Sequence, residues 1–173
     1  MTTARLRLYA PSLAEVSALL RGERADVGAR IGAALPDEWW RGPSLIRLLP
    51  HLREDMTRAL GDARWIWLVI DPGIDPGAAR VIGDVGCHGP LRDGAEVEIG
   101  YSLVPDARGR GYATEAVAAV IEWAFAQGQV AGVIAQIEAA NAASQRVAVK
   151  VGMRPLPPIS AEYLCFGISR PSA

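Results

Sequence analysis

The sequence of 173 residues has few of the residues on which several protein classes depend: two cysteines, two histidines and a single lysine, Lys150. Two cysteines are too few for a disulfide framework, so we expect a reducing compartment. The net charge of −1 lacks the basic excess of a protein that binds nucleic acid or anionic membranes. No apolar run approaches the roughly 20 residues of a membrane span, and the polar N-terminus does not resemble a signal peptide. We therefore expect a cytoplasmic protein that binds neither nucleic acid nor membrane.

Residue patterns for metal binding and for nucleophilic catalysis are also missing. Cys87 and His88 are adjacent, which is not the spacing of a metal-ligand pair, and His51 is the only other histidine. No Gly-x-Ser-x-Gly motif is present, and neither cysteine lies in a recognisable motif with a histidine and a third orienting group. The sequence therefore predicts no metal site and offers no nucleophilic constellation.

The length, with 50% hydrophobic residues, fits one domain, and we assign residues 1–173 to it. Ser12 and Glu15 have the spacing of a capping box at the start of a helix. The N-terminal elements are predicted as a strand over 5–9, a helix over 12–20, an irregular stretch over 21–43 in which a short helix is left open, and an amphipathic helix over 44–60.

The rest of the chain alternates strands with two helices. Over 95–104 the apolar residues alternate with Glu96 and Glu98, as in a strand with one buried face. Strands are predicted over 65–70, 80–86, 95–104, 130–140 and 162–168, and helices over 114–125 and 144–151. Because hairpins are mixed with one strand–helix–strand crossover, we predict an α/β fold whose sheet is only partly parallel.

The stretch most informative about function is a strand that ends at Pro105, followed by the turn and helix start Arg108-Gly-Arg-Gly-Tyr-Ala-Thr-Glu115. The N–H groups in the first turn of a helix have no partner within the helix, and the helix dipole adds positive charge there. Glycines let an anion approach such amides closely, and the two arginines add charge. The pattern predicts a diphosphate-binding turn.

Other interpretations of this turn are weaker. Glycine is common in tight turns for structural reasons alone. A dinucleotide fingerprint would require a third glycine where Thr114 stands and would lie in an early strand–helix–strand unit. A P-loop would require Gly-Lys-Ser/Thr, and the only lysine is Lys150.

Two signatures in this region resemble those of a known family. Arg108-x-x-Gly111-x-Ala113 resembles the acyl-CoA-binding signature of the GNAT N-acetyltransferases, and Asn141 to Met153 is similar to their second signature. Arg5-Leu-Arg-Leu8 and Gly111-Tyr-Ala-Thr-Glu-Ala116 are most similar to the Rim-type branch, whose founding members acetylate protein amino termini. The resemblance covers nearly the whole chain and is specific over 95–153. It implies a mixed, mostly antiparallel sheet of about six to seven strands, splayed at the cofactor site and flanked by about four helices.

The resemblance also implies acetyl-CoA as the cosubstrate. The pantetheine arm would lie along the strand end, and main-chain amides of the turn would hold the diphosphate. Asn141 would bond to the arm, or serve only as a helix cap, and Ser144 would lie near the thioester sulfur. The residues implied for the cofactor are Tyr101, Ser102, Leu103, Val104, Arg108, Gly109, Arg110, Gly111, Ala113, Thr114, Asn141 and Ser144.

The implied reaction is direct attack by an amine on the acetyl carbonyl. Glu98 is the candidate base, acting through water, although it also fits a solvated strand face. Many members of the family carry a tyrosine acid where this chain has Ala148. Ser144 is therefore the candidate donor to the leaving sulfur, with protonation by water as the alternative.

The acceptor implied is a small-molecule amine or a protein N-terminus, and a homodimer is left open by the resemblance. The segment Asp37-Glu-Trp-Trp40 suits a groove for a cationic acceptor, although its tryptophans also suit core packing, as do Trp65 and Trp67. The alternative function is a non-catalytic sensor or scaffold of the same fold that binds acyl-CoA.

Overall fold

The computed structural model describes residues 1–40, 50, 53–54, 56–57, 66–75, 77–88, 94, 96–128 and 130–171. Its elements are, in order, β1 (Arg7–Tyr9), α1 (Leu13–Leu20), α2 (Arg24–Ile31), α3 (Asp37–Trp40), β2 (Ile66–Asp71), β3 (Arg80–His88), β4 (Glu96–Leu103), a 3-10 turn (Pro105–Ala107), α4 (Tyr112–Ala126), β5 (Gly132–Glu138), α5 (Ala142–Lys150), β6 (Arg154–Leu156) and β7 (Tyr163–Ser169).

The seven strands form one sheet in the order β1-β2-β3-β4-β5-β7-β6. The pairs β1–β2, β5–β7 and β6–β7 are antiparallel, and the pair β4–β5 is parallel. The sheet does not close, and the described residues include four helices of eight or more residues. The predicted fold class, a mixed and mostly antiparallel α/β sheet, is confirmed.

The capping box predicted for α1 is present. The Ser12 side chain accepts from the Glu15 amide, and the Glu15 carboxylate accepts from the Ser12 amide at 2.7 Å. The Tyr9 hydroxyl also donates to Glu15, at 2.8 Å. Two first-turn amides are thus satisfied, which is why the helix begins where the sequence predicts.

The stretch predicted as irregular contains two helices, so that interpretation is wrong for 24–31 and 37–40. Val27 and Ile31 are buried on one face of α2, and Gly32 ends the helix at φ 64°. No side chain caps its first turn. This helix depends on tertiary packing of its apolar face, which the glycine-rich sequence does not reveal. The helix predicted over 44–60 lies mostly outside the described residues.

The described residues form two compact units. The first comprises Met1–Val85 and Ser102–Tyr112, and the second comprises Gly86–Tyr101 and Ala113–Ala173. The first has a core of Leu8, Val16, Leu19, Trp67, Leu68 and Ile70; the second has a core of Val117, Val120, Val133, Ala135 and Ala148. The assignment to a single domain remains a prediction.

The strand β6 was not predicted. Its three residues are all exposed and include Pro155, which lacks the N–H that a central strand needs. An edge strand of this kind shows neither the alternation of polar and apolar residues nor the apolar run by which a strand is recognised in a sequence.

No helix in the described part of the chain combines the length and hydropathy that crossing a lipid bilayer requires.

Candidate functional site

The strands β4 and β5 pair over only a short part of their length. Their parallel register covers Glu96–Glu98 against Gly132–Ile134 and ends there. From Ala135 to Glu138, β5 remains paired with β7 along its other edge. Over the described residues, Ile99–Tyr101 therefore has no recorded partner on β5, and two strand edges are left open. Such edges present N–H and C=O groups to an extended ligand that can add as a strand.

Glu98, the candidate base, is the last residue of β4 that pairs with β5. It is half-buried, and one of its carboxylate oxygens accepts from the side-chain amide of Gln136 at 3.2 Å. Gln136 lies on β5, beyond the last pair. The structure therefore places this carboxylate at the point where the strands begin to diverge.

Asn141, which the resemblance implied for the pantetheine arm, and Ser144, implied for the thioester sulfur, lie at the start of α5. The side chain of Asn141 accepts from the Ser144 amide at 3.1 Å, which confirms the helix-cap role. The Tyr101 hydroxyl donates to the Ser144 carbonyl at 2.9 Å. Tyr101 is half-buried, and this burial raises the pKa of its phenol. The tyrosine ties the open end of β4 to the first turn of α5, and α5 packs against β5.

Ala148 is in the same helix, one turn further on, and is fully buried, with 1% of its surface exposed. A methyl group cannot donate a proton, so this position supplies no acid. Of positions 144 and 148, only 144 carries a hydroxyl group.

The turn that connects β4 to α4 is anchored at its start. The Arg108 side chain donates through Nε to the Leu103 carbonyl at 2.9 Å, and its amide donates to Pro105 at 3.2 Å. Arg80 forms an ion pair with Asp106 at 2.7 Å. These contacts fix the path of the chain up to Arg108.

Beyond Arg108 the backbone is held differently. Gly109 and Gly111 have φ angles of 75° and 80°, a region that favours glycine. The amides of residues 109–111 donate to no recorded acceptor in the described part of the chain. The amides of Tyr112, Ala113 and Thr114 follow in the first turn of α4, where the helix provides no acceptor. A run of unpaired donors at the positive end of a helix dipole can bind an anion.

Asp84 in β3 is a buried acid that the sequence analysis did not identify. It is 5% exposed, and one carboxylate oxygen accepts from the Trp39 indole at 3.0 Å and from the Ser102 hydroxyl at 2.9 Å. Burial raises the pKa of Asp84, and the two hydrogen bonds oppose the shift in part. A signal was available, because Asp84 is a lone acid in the apolar strand sequence Val81-Ile-Gly-Asp-Val85.

These contacts decide between interpretations of the tryptophans. Trp39 is 3% exposed and Trp67 is 1% exposed, so both are core residues. The Asp37 carboxylate forms an ion pair with Arg24. Trp39 is therefore too buried to contact an acceptor, and an acceptor would compete with Arg24 for the Asp37 carboxylate. Trp65 and the side chain of Trp40 lie outside what the structure describes.

The cysteines are both free thiols and both buried. Burial raises the pKa of Cys87 to about 12, so its thiolate is not populated near neutral pH. Among the described residues, no group of three or more His, Cys, Asp or Glu side chains could hold a metal ion.

Open strand edges are typical of proteins that bind extended ligands, and amides without a recorded acceptor at a helix start are typical of proteins that bind anions. The sequence profile of the Acetyltransferase (GNAT) domain matches residues 5–154. The chain therefore belongs to the GNAT family of acetyltransferases.

Individual relatives agree with this assignment. The uncharacterized N-acetyltransferase YjdG of Bacillus subtilis (strain 168) is 26% identical over 125 residues, which cover 72% of this chain and 71% of YjdG. An acetyltransferase structure from Agrobacterium tumefaciens strain C58 is 24% identical with a TM-score of 0.63, covering 97% of this chain and 92% of that one. The ribosomal L7/L12 alpha-N-protein acetyltransferase RimL, solved in complex with coenzyme A, is 16% identical with a TM-score of 0.62, covering 98% and 96%. The two structures show a shared fold.

Proposed function

We propose that this acetyltransferase transfers the acetyl group of acetyl-CoA to a primary amine, by direct attack within a ternary complex. The observation that carries the proposal is the end of β4–β5 pairing at Glu98, which leaves an open strand edge. A pantetheine arm carries two amide groups and can pair with that edge as an added strand. RimL, which shares the fold, was solved with coenzyme A, and this supports the same ligand here.

The proposed cofactor position follows the chain. The pantetheine arm lies along Tyr101–Val104, and β4 leads directly into the turn that carries Gly109 and Gly111. The amides of residues 109–111, 113 and 114 then hold the diphosphate, with positive charge from Arg108 and Arg110. Asn141 bonds to the pantetheine arm in addition to its helix-cap role.

The chemistry requires a neutral amine, because an ammonium ion has no lone pair to attack with. Glu98 accepts the proton through a water molecule, and the amine nitrogen then bonds to the acetyl carbon. The tetrahedral intermediate collapses by breaking the carbon–sulfur bond. Ser144 donates a hydrogen bond to the departing sulfur, and the proton that the attacking nitrogen gives up passes through water to the thiolate. Because no covalent enzyme intermediate forms, the rate enhancement depends mainly on positioning the two substrates.

For the acceptor, we propose a protein N-terminus or a small-molecule amine, and a place in the Rim-type branch. The name of RimL states that it acetylates an α-amino group of ribosomal L7/L12, and that activity is the precedent for a protein acceptor. The reduced, buried cysteines fit a cytoplasmic protein. The proposed reaction uses no metal ion.

Thermal unfolding with added ligands tests the cofactor assignment. CoA and acetyl-CoA are expected to raise the unfolding temperature, because a ligand that binds only the folded state stabilises it. NAD(H) serves as the control, since it carries a diphosphate but no pantetheine arm. Protection by NAD(H) without protection by acetyl-CoA would contradict the proposal.

Release of free CoA thiol from acetyl-CoA, measured across amines and N-terminal peptides, tests the reaction itself. Amine-dependent release is expected for at least one acceptor class. If acetyl-CoA binds but no acceptor causes release of the CoA thiol, the result favours a non-catalytic acyl-CoA sensor. Ala148 supports that alternative, because its side chain cannot act as an acid.

A further inference from the structure

A side chain from the N-terminal segment contacts the glycine turn, which we define as Arg108–Gly111. The Arg5 guanidinium donates through Nη1 to the Arg110 carbonyl at 2.9 Å. The centre of the guanidinium also lies 4.7 Å from the centroid of the Tyr112 ring, within the range of a cation–π contact. A Cβ atom placed on Gly111 would lie 3.4 Å from Nη2 of Arg5. One side chain thus contacts the residues on both sides of Gly111.

These contacts constrain the peptide plane between Arg110 and Gly111. In a planar trans peptide, the carbonyl of one residue and the N–H of the next point in opposite directions. Because Arg5 holds the Arg110 carbonyl on one side, the Gly111 amide must point to the other. Gly111 has a φ of 80°, and glycine populates positive and negative φ about equally, so this plane has little intrinsic preference for one orientation.

We propose that Arg5 is a positioning residue for the diphosphate: it holds the Arg110–Gly111 peptide in the orientation that presents the Gly111 amide to the cofactor. The inference rests on the proposed function of the turn. Arg5 acts through the backbone and need not touch the cofactor. Its contribution is preorganisation, since a peptide that is already oriented loses less entropy when the ligand binds.

The chain offers a matched control in Arg7, two residues along. Arg7 also donates to a backbone carbonyl, that of Ile31 at 2.8 Å, and also lies near an aromatic ring, that of Tyr9 at 5.9 Å. Arg7→Ala therefore removes the same kinds of contact, but in a place that does not include the glycine turn.

The experiment measures the affinity for CoA by calorimetry and kcat/KM with two thioesters, acetyl-CoA and S-acetylpantetheine. The second thioester has the reacting group but no diphosphate. Arg5→Ala is expected to raise the Kd for CoA about tenfold, roughly the entropy cost of fixing the backbone of one residue when the ligand binds. Its kcat/KM is expected to fall with acetyl-CoA and to stay unchanged with S-acetylpantetheine. Arg7→Ala is expected to leave the Kd for CoA unchanged.

Arg5→Lys keeps a cationic donor but not the planar guanidinium, and it is expected to give a Kd between those of the wild type and Arg5→Ala. This variant keeps the test informative if Arg5→Ala folds poorly. An unchanged Kd in Arg5→Ala overturns the inference. So does an equal loss of kcat/KM with both thioesters, because that result indicates general structural damage. Absence of CoA binding by the wild-type protein refutes the proposed function instead, and the inference with it.

Discussion

Replacing Gly109 with alanine isolates the conformation of the glycine turn from its packing. Gly109 has a φ of 75°, and apart from its two chain neighbours no residue has an atom within 4 Å of the place where a Cβ atom would stand. The substitution therefore adds no clash. It adds only the penalty for an L residue in the left-handed region, about 1–2 kcal/mol.

This free-energy penalty can lower either the stability of the protein or its affinity for CoA. If the turn keeps its conformation, the free energy of unfolding falls by that amount and CoA affinity is retained. If the turn relaxes to a negative φ, the amides leave their positions and the cost appears in binding. A loss of 1–2 kcal/mol corresponds to about a 5- to 30-fold rise in Kd. Because the turn has no recorded hydrogen bonds from the amides of residues 109–111 within the described part of the chain, we expect relaxation and the binding loss.

Calorimetric titration with CoA and urea denaturation together distinguish these outcomes. Gly128→Ala is the control, since Gly128 has a φ of 78° and likewise has no atom within 4 Å of a built Cβ. It follows α4 and lies outside the glycine turn. The control should lose stability without losing affinity for CoA. If Gly109→Ala loses neither stability nor affinity for CoA, the turn has relaxed without harm to binding, and the reasoning that its conformation presents the binding amides is refuted.

Two further variants test the acids. Glu98→Gln is expected to lower kcat/KM about 100-fold with little change in CoA affinity, the effect of losing a general base; the neighbouring Glu96→Gln is the control, and an unaltered pH–rate profile in Glu98→Gln removes Glu98 from the mechanism. Asp84→Asn tests the buried carboxyl: because burial raises the pKa of Asp84, the folded protein binds this proton more tightly than the unfolded chain does. Relative to Asp84→Asn, the wild type should thus gain stability as the pH falls through the raised pKa, measured by urea denaturation at several pH values; a stability difference independent of pH contradicts the assignment.

Much of the fold was predictable because local signals agreed with the tertiary structure. The capping box of Ser12 and Glu15 specifies where α1 begins, and it forms as the spacing predicts. The alternation over 95–104 predicts a strand with Val97 and Ile99 buried, and both are. For α2 the sequence favoured an irregular stretch and only left a short helix open, because the stability of this helix depends on the burial of Val27 and Ile31 rather than on caps or propensity.

The candidate site divides in the same way. The glycine turn was recognisable because glycines just before a helix indicate a backbone conformation that other residues rarely adopt. Gly109 and Gly111 have the positive φ angles of that conformation. The contacts of Asp84 with Trp39 and Ser102 could not be predicted, because the three residues are far apart in the chain and no local pattern links them.

The sequence by itself determined the order of every described strand except β6 and the donors of the glycine turn, since these follow from periodicity and backbone chemistry within a few residues. Only the tertiary structure decided where β4 and β5 stop pairing, because register depends on how each strand packs against its other neighbours. It also decided that Arg5 contacts a carbonyl 105 residues away. A contact of that separation exists only after folding has brought the two segments together.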